Sequence, residues 1–337
     1  MGRHGAATLA VAWTCVLLFV ALPVRAAVPP LLEPERLARL LGRAAVLDVR
    51  MDRGEMLDSV DPDGHVPGAV PVPVELLRDA RTEDGDVRFA PPPGRFAALL
   101  RRLGVDAGEP VVVAWPGTRY RDLQGATWLV WLFALYGHDA VALLDRGNAG
   151  WRRAGLPVET AWRMPAEGGF AVTRVRERLR ATTAEVERIV REGGAVLVDA
   201  RDPAVYRGER PAPGTGARGH LPGAVNLPGA SLLVVDRDGD LHFRPPGELR
   251  ERVAAAGLRR DVRIVVYCDG GREAAVVWFV LARPLGFPDV ALYEGSLFAW
   301  TADPARARML VRGAEPGGPE VVRGLDGTPS AVQRSFR

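Results

Sequence analysis

Residues 265–277 read VVYCDGGREAAVV, and this stretch decides how the rest of the chain is interpreted. A β-branched run ends on an aromatic residue, a cysteine and two glycines follow, and an apolar helical pattern begins at once. The pattern predicts a buried strand, a tight loop that needs glycine, and a helix whose N-terminus faces that loop. Backbone N–H groups and the helix dipole there favour a thiolate over a thiol. Cys268 is therefore a candidate nucleophile, and the alternative is an inert buried cysteine.

Length and composition suit a two-domain globular protein. The chain has 337 residues, of which 47% are apolar and 25% charged. That length is long for one domain and lets each of two domains bury its own core. The net charge of +3 is small, and the basic residues, mostly arginines, are scattered among acids. We therefore expect no nucleic-acid partner.

The first 26 residues have the pattern of a secretory signal peptide. Arg3 precedes an apolar run over residues 6–22, and a small-residue site ends at Ala26. Cleavage there predicts a periplasmic or secreted protein without stable membrane association; the alternative is an uncleaved anchor, since the run approaches spanning length. Cys15 would leave with the peptide. Cys268 would then be the single cysteine, so no intramolecular disulfide is possible in the mature chain.

The chain contains one set of motifs twice, with the two copies about 150 residues apart. Asp-Val-Arg at 48–50 returns as Asp-Ala-Arg at 199–201, and Gly-His-Val-Pro-Gly-Ala at 64–69 returns as Gly-His-Leu-Pro-Gly-Ala at 219–224. Strands alternate with helices in both copies. This predicts an α/β protein with two tandem domains, each a central mostly parallel sheet with helices on both faces. The predicted boundaries are 31–154 for the first domain, 155–171 for a linker, 172–302 for the second domain and 303–337 for a loosely ordered tail.

The two copies differ in the loop after the central strand. Trp115 stands in the first copy where Cys268 stands in the second. We therefore expect the second domain to hold the chemistry and the first to shape the cleft. His65 and His220 occur in both copies, which favours a structural role for each. Tryptophans at helical spacing are predicted to be core residues; they are Trp128, Trp131 and Trp278.

Together these motifs resemble those of the two-domain rhodanese-type sulfurtransferases, the thiosulfate and 3-mercaptopyruvate sulfurtransferase family. Tyr-Cys-x-x-Gly at 267–271 and Tyr-Glu-Gly-Ser-x-x-x-Trp at 293–300 add to the resemblance, which covers about residues 31–302. It implies a cysteine that takes sulfane sulfur from a donor such as thiosulfate or 3-mercaptopyruvate. The sulfur is carried as a persulfide and passed to a thiophilic acceptor, cyanide or a thiol. Neither metal nor cofactor is implied, and we expect a monomer.

Carried over to this chain, the resemblance makes Cys268 the sulfur carrier. The loop that cradles the sulfur comprises the six residues that follow it, Asp269, Gly270, Gly271, Arg272, Glu273 and Ala274. Three further residues, Asp199, Arg201 and Arg207, are expected to bind substrate or to brace this loop. Bracing is the favoured role for the first two.

The loop departs from the family pattern in its acidity. Asp269 follows the cysteine directly, Glu273 stands where threonine or serine is common, and Val205 replaces a common arginine. Two carboxylates near a thiolate raise its pKa and repel an anionic donor. This leaves an alternative function, a non-catalytic or donor-restricted sulfur carrier or binding module. A phosphatase or arsenate reductase of the related fold is excluded, because it needs arginine where Ala274 stands.

Overall fold

The computed structural model describes residues 28–51, 60–83 and 86–316. Its strands are β1 (Leu31–Leu32), β2 (Ala45–Arg50), β3 (Val60–His65), β4 (Val70–Pro73), β5 (Arg81–Glu83), β6 (Asp86–Arg88), β7 (Val111–Ala114), β8 (Val141–Leu144), β9 (Glu159–Ala161), β10 (Val196–Asp199), β11 (Val225–Asn226), β12 (Leu233–Val235), β13 (Leu241–Phe243), β14 (Ile264–Tyr267) and β15 (Val290–Leu292). Its α-helices are α1 (Pro34–Ala38), α2 (Pro93–Arg102), α3 (Tyr120–Leu135), α4 (Gly147–Arg153), α5 (Thr183–Glu192), α6 (Pro203–Tyr206), α7 (Pro246–Ala255), α8 (Arg272–Ala282), α9 (Ser296–Thr301) and α10 (Pro304–Ala307).

Two parallel sheets organise these elements into two units. The first unit contains the sheet β1-β8-β7-β2-β4, and the second contains the sheet β11-β10-β14-β15. Neighbouring strands in both sheets pair in parallel. Helices lie in the crossovers β7–β8, β10–β11, β11–β14 and β14–β15, as parallel pairing requires a long connection that can cover a face of the sheet.

The burial pattern of β14 follows from this layering. All four residues are buried, as expected for a strand covered on both faces. Ile264 and Val266 join the apolar core that contains α3 and α8, while Val265 and Tyr267 pack on the outer face with α5 and α9. Because side chains alternate along a strand, Cys268, the next residue, belongs to the inner core.

The equivalent helices α3 and α8 pack against each other and join the two units through one continuous core. Both helices are buried on nearly every side. Trp128, Trp131 and Trp278 are at most 1% exposed, and each indole N–H donates to a backbone carbonyl, at 2.9, 3.1 and 3.1 Å respectively. Their prediction as core residues is confirmed, and so is the predicted fold class.

Two segments differ from their predictions. In the expected linker, β9 pairs antiparallel with β3, and Phe170 packs edge-on against Phe96 at 5.9 Å, so much of 155–171 is part of the first unit. In the expected loose tail, α10 is capped by Asp303, and Val311 forms an antiparallel bridge with His220. The prediction of a loosely ordered tail is therefore wrong for 303–316. Backbone and side-chain hydrogen bonds are what order both segments.

The predicted signal peptide over residues 1–26 and the end of the tail, 317–337, lie outside the described residues. Within the described ranges, no helix combines the length and the apolar character needed to cross a membrane.

Candidate active site

Cys268 lies at the carboxyl end of β14, in the loop that leads into α8. Gly271 enters the helix with a φ of 89°, a value that glycine adopts readily. A Cβ at Gly271 would come within 2.9 Å of the Trp128 ring and 3.0 Å of the Glu294 carbonyl oxygen. The loop therefore passes so close to both units that only glycine fits at this position.

Backbone and hydroxyl hydrogen bonds hold the sulfur in place. The Gly271 N–H donates to Cys268 Sγ at 3.1 Å, and the Cys268 N–H donates to Ser296 Oγ at 3.1 Å. The loop is also tied to the start of α9, because the N–H groups of Leu297 and Phe298 donate to the carbonyl oxygens of Cys268 and Asp269. The cysteine is thus fixed by its surroundings, as a group that must meet substrate in one geometry requires.

Burial, and not the helix terminus, decides the protonation of this thiol. Cys268 is 4% exposed. The pKa of its thiol is raised to about 11: burial is the largest cause, the charges of Glu273 and Asp269 also raise it, and the N–H groups of Ala274 and Gly270 lower it. The expectation that backbone N–H groups would favour the thiolate is therefore right about their sign but wrong about the balance. The expected effect of the two acidic residues has the right direction.

Asp269 is tied to the pair that was expected to brace the loop. Arg201 Nη1 lies 3.4 Å from Asp269 Oδ1. The same guanidinium donates to both carboxylate oxygens of Asp199 and, at 2.8 Å, to the Gly219 carbonyl oxygen. Both Asp199 and Arg201 are almost fully buried. The contact between them and Asp269 connects the end of β10 to the cysteine loop.

Glu273 is in the first turn of α8 and meets a residue of the first unit. The Tyr120 hydroxyl, at the start of α3, donates to Glu273 Oε1 at 3.2 Å. The pKa of the Glu273 carboxyl is raised to about 8: burial is the largest cause, the Asp199 and Asp269 charges also raise it, and Tyr120 and Arg201 lower it. At neutral pH this carboxyl is therefore mostly uncharged.

A cavity of about 500 Å³ opens beside Cys268, and both units line it. Its charged and amide side chains are Arg78, Arg121 and Gln124 from the first unit, and Asp269, Arg272 and Glu273 from the second. Phe298, which is 41% exposed, and Gly214 complete one wall. Three guanidinium groups thus surround a cysteine whose acidic neighbours are either paired or largely protonated.

Arg78 is the most constrained of the three arginines. Its Nη2 donates to the Gly270 carbonyl oxygen at 2.8 Å, and its guanidinium stacks on the rings of Phe89 and Trp128, at 4.1 and 4.9 Å from their centroids. Nη1 is buried and has no hydrogen-bond partner in the described part of the chain. Burial, helped by the nearby Arg272, lowers the pKa of Arg78 to about 10.

Arg207 is not among the residues that line this cavity. It pairs with Glu209 on the surface, and its backbone oxygen accepts from Gly313. Nearby Arg210 pairs with Asp202 instead. The structure therefore brings together Cys268, its loop, Asp199 and Arg201, and it leaves Arg207 outside. Two of the cavity arginines, Arg78 and Arg121, belong to the first unit. They were not predicted from the sequence, and neither was Tyr120, because no motif marks these positions.

In the described part of the first unit, a tryptophan stands where the second unit has the cysteine. Trp115 occupies the equivalent position, is 1% exposed, and donates its indole N–H to the Leu144 carbonyl oxygen at 3.1 Å. His65 stacks on Trp162, and His220 stacks on Tyr206 while contacting two backbone carbonyl oxygens, so both histidines are buried parts of the scaffold.

A larger cavity, about 610 Å³, lies at the opposite end of the second sheet, where Gly193, Gly194 and Arg259 contribute to its wall. Ligands of parallel α/β sheets bind at the carboxyl ends of the strands, which is where Cys268 lies. We therefore assign the site to the smaller cavity. Across the described residues, no group of three or more His, Cys, Asp and Glu side chains could hold a metal ion.

Comparison with known proteins agrees with this geometry. A family model for the rhodanese-like domain matches residues 182–303. The sulfur carrier protein TtuD of Thermus thermophilus is 34% identical over 254 residues, which are 70% of this chain and 82% of that protein. The 3-mercaptopyruvate sulfurtransferase of Escherichia coli K12 is 34% identical over 249 residues, 71% of this chain and 81% of that protein. The crystal structure of SseA from Escherichia coli superposes with a TM-score of 0.66 at 28% identity, covering 80% of this chain and 99% of that one.

A cysteine at the carboxyl end of a parallel strand, in a glycine-bearing loop at a helix N-terminus, defines a rhodanese-type domain. With relatives of this similarity over most of its length, the chain belongs to the rhodanese-type sulfurtransferase family. It is a sulfurtransferase.

Proposed function

We propose that this sulfurtransferase takes a sulfane sulfur from an anionic donor, carries it as a persulfide on Cys268, and gives it to a thiophilic acceptor. Thiosulfate and 3-mercaptopyruvate are the candidate donors, and cyanide or a thiol is the acceptor. The observation that carries the proposal is the cavity itself, in which Arg78, Arg121 and Arg272 surround Cys268. Guanidinium groups are well suited to bind oxyanions and carboxylates.

The acidic loop does not cancel this positive charge at neutral pH. Asp269 lies within 3.4 Å of Arg201, and the Glu273 carboxyl, with a pKa of about 8, is mostly protonated. The three cavity arginines then face a site with little opposing charge. This supports an anionic donor, in contrast to the repulsion expected from the acidic residues in the sequence.

Cys268 gives up its thiol proton in the donor step with thiosulfate, in which one bond between sulfur atoms forms and one breaks. Cys268 Sγ bonds to the sulfane sulfur, the S–S bond of thiosulfate breaks, and sulfite leaves with the electron pair. The persulfide that remains is an anion, and the loop N–H groups that now face Sγ can stabilise it without a metal. In the second step the acceptor bonds to the outer sulfur and the electron pair of the Sγ–S bond returns to Cys268.

Intact mass spectrometry tests the proposal. The purified protein is incubated with thiosulfate and, separately, with 3-mercaptopyruvate, and each sample is then treated with cyanide. We expect the mass to rise by one sulfur atom with at least one donor and to return after cyanide. Cys268→Ser is the control and gains nothing, because a hydroxyl forms no persulfide. Wild-type protein that gains no sulfur from either donor contradicts the proposal.

A second candidate is a donor-restricted sulfur carrier. The Thermus thermophilus relative is called a sulfur carrier protein, and a cysteine whose thiol pKa is about 11 is a poor leaving group when an acceptor attacks the outer sulfur. In that case the persulfide forms, but turnover with cyanide stays negligible. The same mass experiment, followed over time, separates a carrier from an enzyme with rapid turnover.

We also propose that the protein is exported to the periplasm or secreted, and acts there as a monomer. The support is the sequence of the first 26 residues, with its apolar run and its small-residue site at Ala26. N-terminal sequencing of the protein from a cell-envelope fraction tests this. A chain that still begins at Met1 and stays with the membrane contradicts it.

A further inference from the structure

The contact between Tyr120 and Glu273 joins the unit without the cysteine to the cysteine loop. Tyr120 is the first residue of α3 and Glu273 the second residue of α8, and their side chains meet at 3.2 Å beside the cavity that Cys268 lines. Gly229 leaves room for this contact, because a Cβ there would lie 2.3 Å from the Tyr120 hydroxyl oxygen and 3.5 Å from Glu273 Cγ. Three elements thus converge to orient one carboxyl group.

Only one oxygen of that carboxyl is used by the scaffold. Oε1 accepts from Tyr120, and among the described residues Oε2 has no hydrogen-bond partner. Glu273 and Cys268 line the same cavity. An oriented carboxyl with a free oxygen lines the same cavity as a sulfur that must lose and regain a proton, and its charge acts on that sulfur, so it is a candidate acid–base group.

Sulfur transfer at this cysteine requires such a group. Cys268 is buried and rests as a thiol, so it must lose a proton when it attacks the donor. When the acceptor removes the outer sulfur, Sγ regains a proton, because a thiol with a pKa of about 11 is protonated at neutral pH and its thiolate is a poor leaving group. A group near Cys268 can hold this proton while the enzyme carries the persulfide.

We propose that Glu273, oriented by Tyr120, holds the Cys268 proton while the enzyme carries the persulfide. This inference rests on the proposed function and assigns a proton carrier within it. In the donor step, the Sγ proton passes to the Glu273 carboxylate as the Sγ–S bond forms and sulfite leaves with the electron pair of the donor bond. In the acceptor step, cyanide bonds to the outer sulfur, the Sγ–S bond breaks, and its electron pair takes the proton back from the Glu273 carboxyl. Thiocyanate leaves, and both residues return to their starting states.

The charges around Glu273 place its titration where such a carrier works best. Asp199 and Asp269 raise the pKa of its carboxyl, Arg201 and the Tyr120 hydroxyl lower it, and burial has the largest effect, so that it titrates near pH 8. The other charged groups of the cavity are Arg78, Arg121 and Arg272. A carrier must exist in both forms at the working pH, and a group with a pKa close to that pH does.

The two half-reactions should therefore depend on pH in opposite directions. Persulfide formation under saturating thiosulfate needs the carboxylate, so its rate rises as the pH passes about 8. Transfer from the isolated persulfide form to cyanide, at a constant concentration of the cyanide anion, needs the protonated carboxyl, so its rate falls over the same range. Stopped-flow or quenched-flow mass measurements give both rates between pH 6 and 10.

Glu273→Gln is the decisive variant, because the amide keeps the shape of the carboxyl and carries no proton. We expect both half-reactions to slow by about 100-fold and to lose their opposite pH dependence near pH 8. Alkylation of Cys268 by iodoacetamide should meanwhile stay equal or become faster, because a negative charge near the thiol is gone. Glu248→Gln, a change on the surface where Glu248 pairs with Arg244, is the matched control and should leave both rates unchanged.

Tyr120→Phe tests the orienting residue. Since the Tyr120 hydroxyl lowers the pKa of Glu273, its loss should move both pH midpoints upward together. The inference is overturned if Glu273→Gln forms and transfers the persulfide at wild-type rates, or if it accelerates both, which would make Glu273 a merely repulsive charge. If wild-type protein forms no persulfide at all, the proposed function has failed instead.

Discussion

Replacing Arg78 by methionine separates the anion-binding role of this guanidinium from its contribution to stability. The charged group is disfavoured by burial: a pKa lowered from 12.5 to about 10 corresponds to about 3 kcal/mol. Against this, the hydrogen bond to the Gly270 carbonyl oxygen contributes about 1.5–3 kcal/mol. The contacts with the rings of Phe89 and Trp128 add about 0.5–2 kcal/mol each, part of which methionine keeps. We therefore expect the free energy of unfolding to change by about 1 kcal/mol or less.

The effect on donor capture should be much larger. A unit negative charge about 5 Å from the guanidinium, at an effective dielectric constant of about 20, gains about 3 kcal/mol. Salt and the charges of Arg121 and Arg272, which remain, reduce this by roughly half. The second-order rate constant for persulfide formation with thiosulfate should fall ten- to a hundredfold, while the rate at saturating donor changes less. Stopped-flow rates over a range of thiosulfate concentrations, and urea unfolding of the same samples, provide the two numbers.

Two companion variants make the experiment decisive. Arg207→Met changes the net charge by the same amount on the surface, where Arg207 pairs with Glu209, and should leave the rate constant within about twofold. Arg78→Lys keeps the charge and should recover part of the lost rate. A rate constant for Arg78→Met within twofold of the wild type would refute the assignment of Arg78 to an anion site. Wholesale unfolding of Arg78→Met would show that the balance of energies is wrong.

Three further predictions follow from the site and its scaffold. Cys268→Ser should abolish sulfur uptake, measured by intact mass, and should retain the fold, measured by circular dichroism. Trp115→Ala should lose about 3–5 kcal/mol of stability and should still form a measurable persulfide below its unfolding temperature. Gly229→Ala should displace the Tyr120 hydroxyl, which would otherwise lie 2.3 Å from the new Cβ. Persulfide formation should then slow, although Cys268 itself is unchanged. Folding raises the pKa of Glu273 from 4.5 to about 8, so its contribution to stability should fall as the pH rises through that interval. Between pH 5 and pH 9, the free energy of unfolding measured in urea should therefore fall less for Glu273→Gln than for the wild type. Equal losses would contradict the assignment.

Residues close in the chain were predictable, because their structure follows from local pattern. The pattern of residues 265–277 predicts a buried strand before Cys268 and a helix after the two glycines, and the structure has β14 over Ile264–Tyr267 and α8 over Arg272–Ala282. Most of the missed elements are short strands, the hairpins β5–β6 and β12–β13 and the strand β9. The ten-residue helix α7 was also missed, because it buries only Leu249 and Val253 and so has a weak apolar pattern. Two- or three-residue strands carry too little alternation for a periodic signal.

The composition of the site was only half predictable. The loop and the Asp199–Arg201 pair follow from motifs, but Arg78, Arg121 and Tyr120 lie some 150–190 positions earlier. Tyr120 and Arg121 come close to the loop because α3 packs on α8, and Arg78 reaches it from the turn after β4. Glu273 was visible in the sequence as an unusual acid. Its neutralisation was not, since that depends on burial and on a tyrosine from the other unit. The presence of an acidic residue in the sequence therefore does not establish that it is ionised in the folded site.

The two copies of the domain contribute different groups to one cavity because their equivalent helices meet there. The equivalent helices α3 and α8 pack against each other, and the first turns of both line the space beside Cys268. One copy keeps the cysteine ahead of its helix. The other has a buried tryptophan there and presents Tyr120 and Arg121 from the corresponding turn. Because both helix N-termini carry partial positive charge, an anion between them is favoured from two sides before any side chain is counted. The unit without the nucleophile thus contributes the groups that we assign to donor binding and to the proton of the Cys268 thiol.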